Sequence, residues 1–322
     1  MNFRLVPLSL ALASLGSAAM AQSSVTVYGR VDLSVAQQAN KVANKEVRNG
    51  SGSRLGFRGV EDLGGGLQAV FQIEHRFNAD EGTQTAATRF WDGKAIVGLQ
   101  SAYGRVVLGR EENPAYTYSQ NVADPFGTDT VASNALIVQG KAAIADISTR
   151  YSNSVTYSYA ANGLAFGAQI AETDANAGSG AKRPYSLGGS YTTGPLSVGV
   201  GFENPSNTKD RWATVNGSYD FGIAKVGAFF GDGKNAADQK IQSFLVSAVA
   251  PVGNGAFRGS YGELKNKATA VDATLVKQAA VGYQYFLSKR TTVYADVLEF
   301  GGTQRVAGTK KVGYDLGLKH NF

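Results

Sequence analysis

Arg54-Leu-Gly-Phe-Arg-Gly-Val-Glu-Asp-Leu-Gly-Gly-Gly-Leu-Gln-Ala-Val-Phe-Gln-Ile-Glu-His-Arg76 reads as two strands joined by a glycine turn. In the first half, Arg54 and Arg58 fall on one face and Leu55 and Phe57 on the other. In the second half, Leu67, Ala69, Phe71 and Ile73 alternate with Gln68, Gln72, Glu74 and Arg76. A period of two with one apolar and one charged face marks a half-buried strand. Between them, Glu61-Asp-Leu-Gly-Gly-Gly66 supplies the glycines that a tight turn with positive φ requires.

The same grammar extends in both directions. Upstream, Val25-Thr-Val-Tyr-Gly-Arg-Val-Asp-Leu33 puts Val25, Val27, Gly29, Val31 and Leu33 on one face, with Thr26, Tyr28, Arg30 and Asp32 on the other. Downstream, alternating segments are expected near 93–100, 104–110, 150–159, 163–170, 184–191, 194–202, 211–219, 223–230, 241–250, 255–262, 277–285, 291–299 and 311–322. That makes sixteen strands, joined alternately by short Gly/Asn turns and by longer loops. Short turns on one side, long loops on the other and an even strand number are the pattern of an outer-membrane barrel. The longest stretch without alternation or a convincing helix is Glu111–Thr149. A connection of that length inside a compact β array is usually functional or disordered.

Composition narrows the classes. The chain has 322 residues, 17% of them charged, with Gly 40, Tyr 15 and Phe 16 against Pro 7, which suits many strands, tight turns and aromatic girdles. After the N-terminus no apolar run reaches the ~18 residues of a membrane helix, but barrel strands put only alternate residues into lipid. Cys is absent, so there are no disulfides, thiol nucleophiles or cysteine zinc sites. The formal charge of +6 comes from Lys and Arg scattered singly along strands, unlike the clusters of nucleic-acid binders. Met1–Ala21 has Arg4, an apolar stretch Leu8–Leu15 and the ending Ala19-Met20-Ala21. That reads as a cleaved secretory signal, with the mature chain beginning at Gln22.

A soluble sandwich would share the strand pattern. Three features favour a barrel in lipid. The chain is exported without disulfides. The apolar faces carry aromatics near strand ends (Tyr157, Tyr159, Tyr191, Phe202, Tyr219, Tyr283, Tyr285, Phe322), where membrane interfaces place them. The opposite faces hold Arg30, Asp32, Arg54, Arg58, Gln72, Glu74, Arg76 and Lys94. Burying those charges dry would cost several kcal/mol each unless paired, whereas a wet lumen removes that penalty. Sixteen strands also leave room for an aqueous channel.

The run Ser53–Glu74 resembles the second-to-third strand hairpin of the Gram-negative general diffusion porins, most of all their β-proteobacterial branch. Ser24–Arg30, Gly104–Arg110, Arg150–Tyr157 and Gly317–Phe322 agree, so the resemblance spans the chain. It implies an all-β fold: a 16-stranded antiparallel transmembrane β-barrel over 22–322, with the third long loop, 111–149, folded inward as a constriction. It further implies a homotrimer in outer-membrane lipid and lipopolysaccharide, and a terminal Phe322 read by the barrel-assembly machinery. Asp124-Pro-Phe-Gly127 is similar to the loop-tip turn of relatives.

The candidate pore residues follow from alternation. Arg30, Arg54, Arg58, Arg76 and Arg150 form a basic wall, faced by loop acids Asp124, Asp129, Glu111 and Glu112, with Tyr28, Asp32, Glu74 and Lys94 also lining the lumen. Arginine stays charged at any relevant pH, and basic rings favour anions. A weakly anion-selective channel for ions and small hydrophilic solutes is expected. The bland alternative is that some arginines merely brace Glu74, Asp32 or loop acids. A substrate-specific channel for sugars or organic anions stays open, although Tyr28 and Tyr294 alone do not make an aromatic slide. His75 and His320 fall on outward faces, and no G-x-S-x-G or zinc-type spacing occurs. No catalysis, cofactor or metal is expected.

Overall fold

The computed structural model describes residues 24–42, 45–127, 130–172, 183–205, 209–267 and 272–322. The strands are β1 (Ser24–Gln37), β2 (Glu46–Asn49), β3 (Arg54–Gly64), β4 (Leu67–Asn78), β5 (Thr83–Gln84), β6 (Lys94–Ser101), β7 (Gly104–Glu112), β8 (Arg150–Ala161) and β9 (Leu164–Ala171). They continue as β10 (Tyr185–Thr193), β11 (Leu196–Asn204), β12 (Arg211–Asp220), β13 (Lys225–Lys234), β14 (Lys240–Val252), β15 (Gly255–Asn266), β16 (Ala273–Phe286), β17 (Thr291–Gly301) and β18 (Val312–Asn321). β2 and β5 are short pieces within the first two long connections. The other sixteen are the staves of one antiparallel sheet.

The sheet closes on itself. β1 pairs with β3 through Ser24–Arg30 and with β18 through Arg30–Gln37. Gly29 and Phe322 exchange backbone hydrogen bonds of 3.0 and 3.1 Å at the seam. Closure leaves no free edge, the condition for β structure in lipid. The opening hairpin runs further than its sequence suggests: β3 continues to Gly64, which pairs with Leu67. The turn is therefore only Gly65-Gly66, at φ +61° and +80°, the positive-φ geometry of a two-residue hairpin.

Every stave sorts its side chains by face. Val31, Val35, Val97, Leu99, Leu108, Val155, Val297, Leu316 and Leu318 are exposed. Asp32, Glu74, Ser186, Glu203, Asn216, Arg258, Asp296 and Asp315 are buried. Water would not tolerate so much contiguous apolar surface; lipid requires it. The aromatic girdle appears as Tyr191, Tyr219, Tyr285 and Phe322, all at strand ends and exposed.

The 113–149 connection contains short helical turns at Tyr116–Gln120, Asn121–Ala123 and Ala135–Val138, which the sequence reading missed. Its hydrogen bonds run to side chains on the buried face of the far wall. Ala115 N donates to Ser186 Oγ (3.0 Å), and Asn216 Nδ2 to Ser119 O (3.0 Å). Trp212 Nε1 donates to Val138 O (3.1 Å), and Asn134 Nδ2 to Ser260 Oγ (3.1 Å). Gly199 permits this approach: a Cβ there would lie 2.3 Å from the Tyr118 carbonyl oxygen.

An apolar core sits between this connection and the wall. Ile137, Val138, Ile144 and Ile147 pack with Trp212, Phe229, Ile241, Leu245, Leu264, Val276 and Phe300. The inner face is therefore not polar throughout. On β12 to β17 part of that face is apolar, because the 113–149 segment covers it and removes it from water.

Candidate pore constriction

Three arginines stand in register across adjacent strands. Arg30 pairs with Arg54, and Arg54 with Arg76. Neighbouring strands lie about 4.8 Å apart, and like charges directly opposite one another destabilise a sheet. The arrangement therefore needs compensation, which Glu74 partly supplies. Its Oε1 is 3.1 Å from Arg76 Nε and 3.8 Å from Arg54 NH1, and its Oε2 accepts the Tyr28 hydroxyl at 3.1 Å. Gln72 Nε2 in turn donates to the Tyr28 oxygen at 2.6 Å. Neutral oxygens hold the other guanidinium edges, those of Arg30 including Asn321 Oδ1 (2.9 Å, from Nε) and Ser51 Oγ (3.2 Å, from NH1). Arg30 NH1 donates to Ser51 O (3.0 Å) and Arg54 Nε to Gly52 O (3.0 Å).

A second network lies on β6 to β8. Arg150 donates to Glu112 at 2.6 Å. Lys94 lies 2.6 Å from Glu111 and 3.5 Å from Glu112, and Arg105 is 3.5 Å from Glu111. Here every carboxylate has a cation partner, so Arg150, Lys94, Glu111 and Glu112 are ion-paired as a set.

The two groups meet at a cavity of about 370 Å³, lined among others by Arg30, Ser51, Arg54, Arg76, Arg150, Lys141 and Glu112. Among the described lining residues, five cations face one carboxylate. Lys141 was not foreseen. It comes from the long connection, where only acids had been considered.

Three expected constriction residues lie elsewhere. Glu111 is buried and lines a neighbouring cavity with Lys94, Arg105 and Tyr118. Arg58 lines a different cavity with Thr26, Gln72 and Arg105, its guanidinium 5.4 Å from the centre of the Tyr28 ring. The reason is spacing: four residues along a strand cover about 13 Å, so Arg58 and Arg54 cannot share one narrow plane. Asp124 is buried. Its Oδ1 accepts Phe126 N (3.0 Å) and Asn134 Nδ2 (2.9 Å), and its Oδ2 accepts Asn134 N (2.7 Å). It braces its own loop, and burial pushes its carboxyl up to about 6 despite those donors. Asp129, and the proposed signal with Ala21 and Gln22, lie outside the described residues.

Asp32 is fully buried. It accepts Ser51 N (2.9 Å), the Ser51 hydroxyl and the Tyr294 hydroxyl (2.7 Å). Both histidines sit away from the cavity: His75 stacks on Phe90 at 4.1 Å, and His320 Nδ1 meets Thr291 Oγ1 at 2.9 Å.

A closed sixteen-stave barrel with a lipid-compatible exterior and a charged interior cavity defines a membrane channel of the outer-membrane type. Residues 9–304 match the model of the Gram-negative porin family, and the chain belongs to that family. It is 30% identical to an outer membrane porin protein of Bordetella pertussis, with 97% of each chain covered. It is 31% identical to outer membrane porin protein 32 of Delftia acidovorans, covering 98% of this chain and 99% of that one. The solved anion-selective porin from Comamonas acidovorans superposes with a TM-score of 0.79 at 28% identity, covering 94% of this chain and all of the other. The protein is thus a multi-pass outer-membrane porin.

Proposed function

We propose that the Arg30–Arg54–Arg76 row and Arg150, faced by the 113–149 connection folded into the lumen, form the narrowest part of a diffusion channel for small hydrophilic solutes. The channel weakly prefers anions. The observation that carries this reading is the register of three arginines on one cavity, where cations outnumber carboxylates among the described lining residues. A row of guanidinium groups facing water sets up a field that draws anions in and repels cations. The likeness to a porin described as anion-selective points the same way.

Diffusion needs no chemistry, and neither histidine faces the cavity, so catalysis has no part in this reading. The wider assignments rest on the family resemblance and, for residues 1–21, on the secretory pattern of that segment. Residues 1–21 act as a cleaved signal, three copies associate in outer-membrane lipid and lipopolysaccharide, and Phe322 serves the assembly machinery. Purified protein in a planar bilayer tests the channel. Linear conductance that scales with salt is expected; saturation by a single sugar or organic anion would replace it with a substrate-specific pore.

A further inference from the structure

The ladder of β1 pairs Leu33 with Asn49 of β2 and Arg30 with Arg54 of β3. Opposite Val31 and Asp32 the partner chain carries Gly50, Ser51, Gly52 and Ser53, so two residues are surplus. Surplus residues bend a strand and re-aim its groups. Here Gly52 takes φ +68°, and Gly52 N donates to Gly50 O at 2.9 Å. The carbonyl oxygens of Ser51 and Gly52 accept from Arg30 NH1 (3.0 Å), Arg54 NH2 (3.3 Å) and Arg54 Nε (3.0 Å). These are neutral acceptors. They orient a guanidinium fork while adding no counter-charge to it.

The bulge is held from behind. Asp32, with no exposed surface, binds the backbone N–H and hydroxyl of Ser51, and takes the Tyr294 hydroxyl at 2.7 Å. Gly50 N donates to Asp32 O at 2.9 Å, and Asp32 N to Ser53 Oγ at 3.0 Å. Among the described residues the hydrogen bonds accepted by the Asp32 carboxylate come from the bulge and from Tyr294.

We propose that Asp32, Ser51 and Tyr294 are positioning residues of the constriction: they clamp the 50–53 bulge so that its carbonyls aim Arg30 and Arg54 into the cavity. The proposal rests on the pore reading above. It makes a prediction opposite in sign to simple charge counting. Asp32→Asn removes a negative charge beside the pore, which by charge alone would strengthen anion preference. If the clamp matters, Arg30 and Arg54 retreat and the preference weakens. A retreat of two charges from about 5 to about 8 Å from a passing ion, in water, lowers anion occupancy about two- to threefold by Coulomb's law.

The experiment measures the chloride-to-potassium permeability ratio of reconstituted wild type, Asp32→Asn, Tyr294→Phe, Ser51→Ala, Ser51→Thr and Arg54→Gln. Barrel integrity is checked by heat-modifiable electrophoretic mobility. Asp32→Asn and the charge-neutral Tyr294→Phe should both lower the ratio, Ser51→Ala likewise, and Ser51→Thr should restore it. Should Asp32→Asn fail to fold, Tyr294→Phe and the serine pair decide. A raised ratio in Asp32→Asn, or an unchanged one in Tyr294→Phe and Ser51→Ala while Arg54→Gln lowers it, overturns the clamp alone. An unchanged ratio in Arg54→Gln removes the pore reading on which it stands.

Discussion

Trp212→Ala should release the long connection from the barrel wall without undoing the barrel. Trp212 is fully buried at the centre of the apolar core, and its Nε1 donates to the Val138 carbonyl of the Ala135–Val138 turn. Truncating a buried tryptophan costs about 3–5 kcal/mol. Stranding the Val138 carbonyl adds about 1–3 kcal/mol unless water reaches it. The strand ladder of β12 is backbone and stays intact, so most of that loss falls on docking of the 113–149 segment. Each 1.4 kcal/mol is about tenfold in an equilibrium, so the undocked fraction rises by roughly three to five orders of magnitude. Single-channel recording checks this. Open-channel current should become noisy, with brief excursions of altered conductance, while electrophoretic mobility of the folded barrel is kept. Trp212→Phe, which keeps the ring but not the donor, should fall between. A current as quiet as wild type in the alanine variant would refute the idea that this core pins the loop.

Three further outcomes are expected. Arg54→Gln should reduce the chloride-to-potassium permeability ratio by several-fold, since one unit charge about 5 Å away in water contributes roughly 0.8 kcal/mol to each ion with opposite sign, before screening. Arg58→Gln, whose side chain lines another cavity, should change it less; equal effects would contradict the division between the two cavities. Asp124 has its carboxyl raised from 3.8 to about 6, so between those values the folded chain holds a proton that the unfolded chain has lost. Stability therefore falls as pH rises from about 4 through about 6 and then levels off, by up to roughly 3 kcal/mol; thermal unfolding of Asp124→Asn should lack this slope, and an identical slope would clear Asp124 of the role.

The sixteen staves were legible because the two-residue period is written wherever one face meets lipid. Val25–Leu33 and Leu67–Arg76 needed nothing more than alternation. The inner core was harder. Trp212 and Leu264 are apolar residues on a face that alternation assigns to water, and they are dry only because another segment covers them. A signal did exist: Phe229-Phe230 and Phe244-Leu245-Val246 place apolar groups on both faces of one strand. The arginine row was found by face but not by height, and counting four residues from Arg54 to Arg58 would have separated them. Asp124 is expected at the pore from sequence but braces its loop, because nothing in its spacing says whether a loop carboxylate meets water or backbone N–H groups. Lys141 carries no sequence signal of its own, since a single lysine within an irregular segment has no alternation to give it a face. The bulge at 50–53 depends on pairing register, which no single strand reveals.

The central claim is that the arginine row sets the dominant field of the pore. Reversal potential of the reconstituted wild-type protein across a KCl gradient tests it most directly. A modest potential of the anion-selective sign is predicted. A cation-selective sign would leave the barrel standing and contradict the account of its constriction, placing control with carboxylates of the lumen instead.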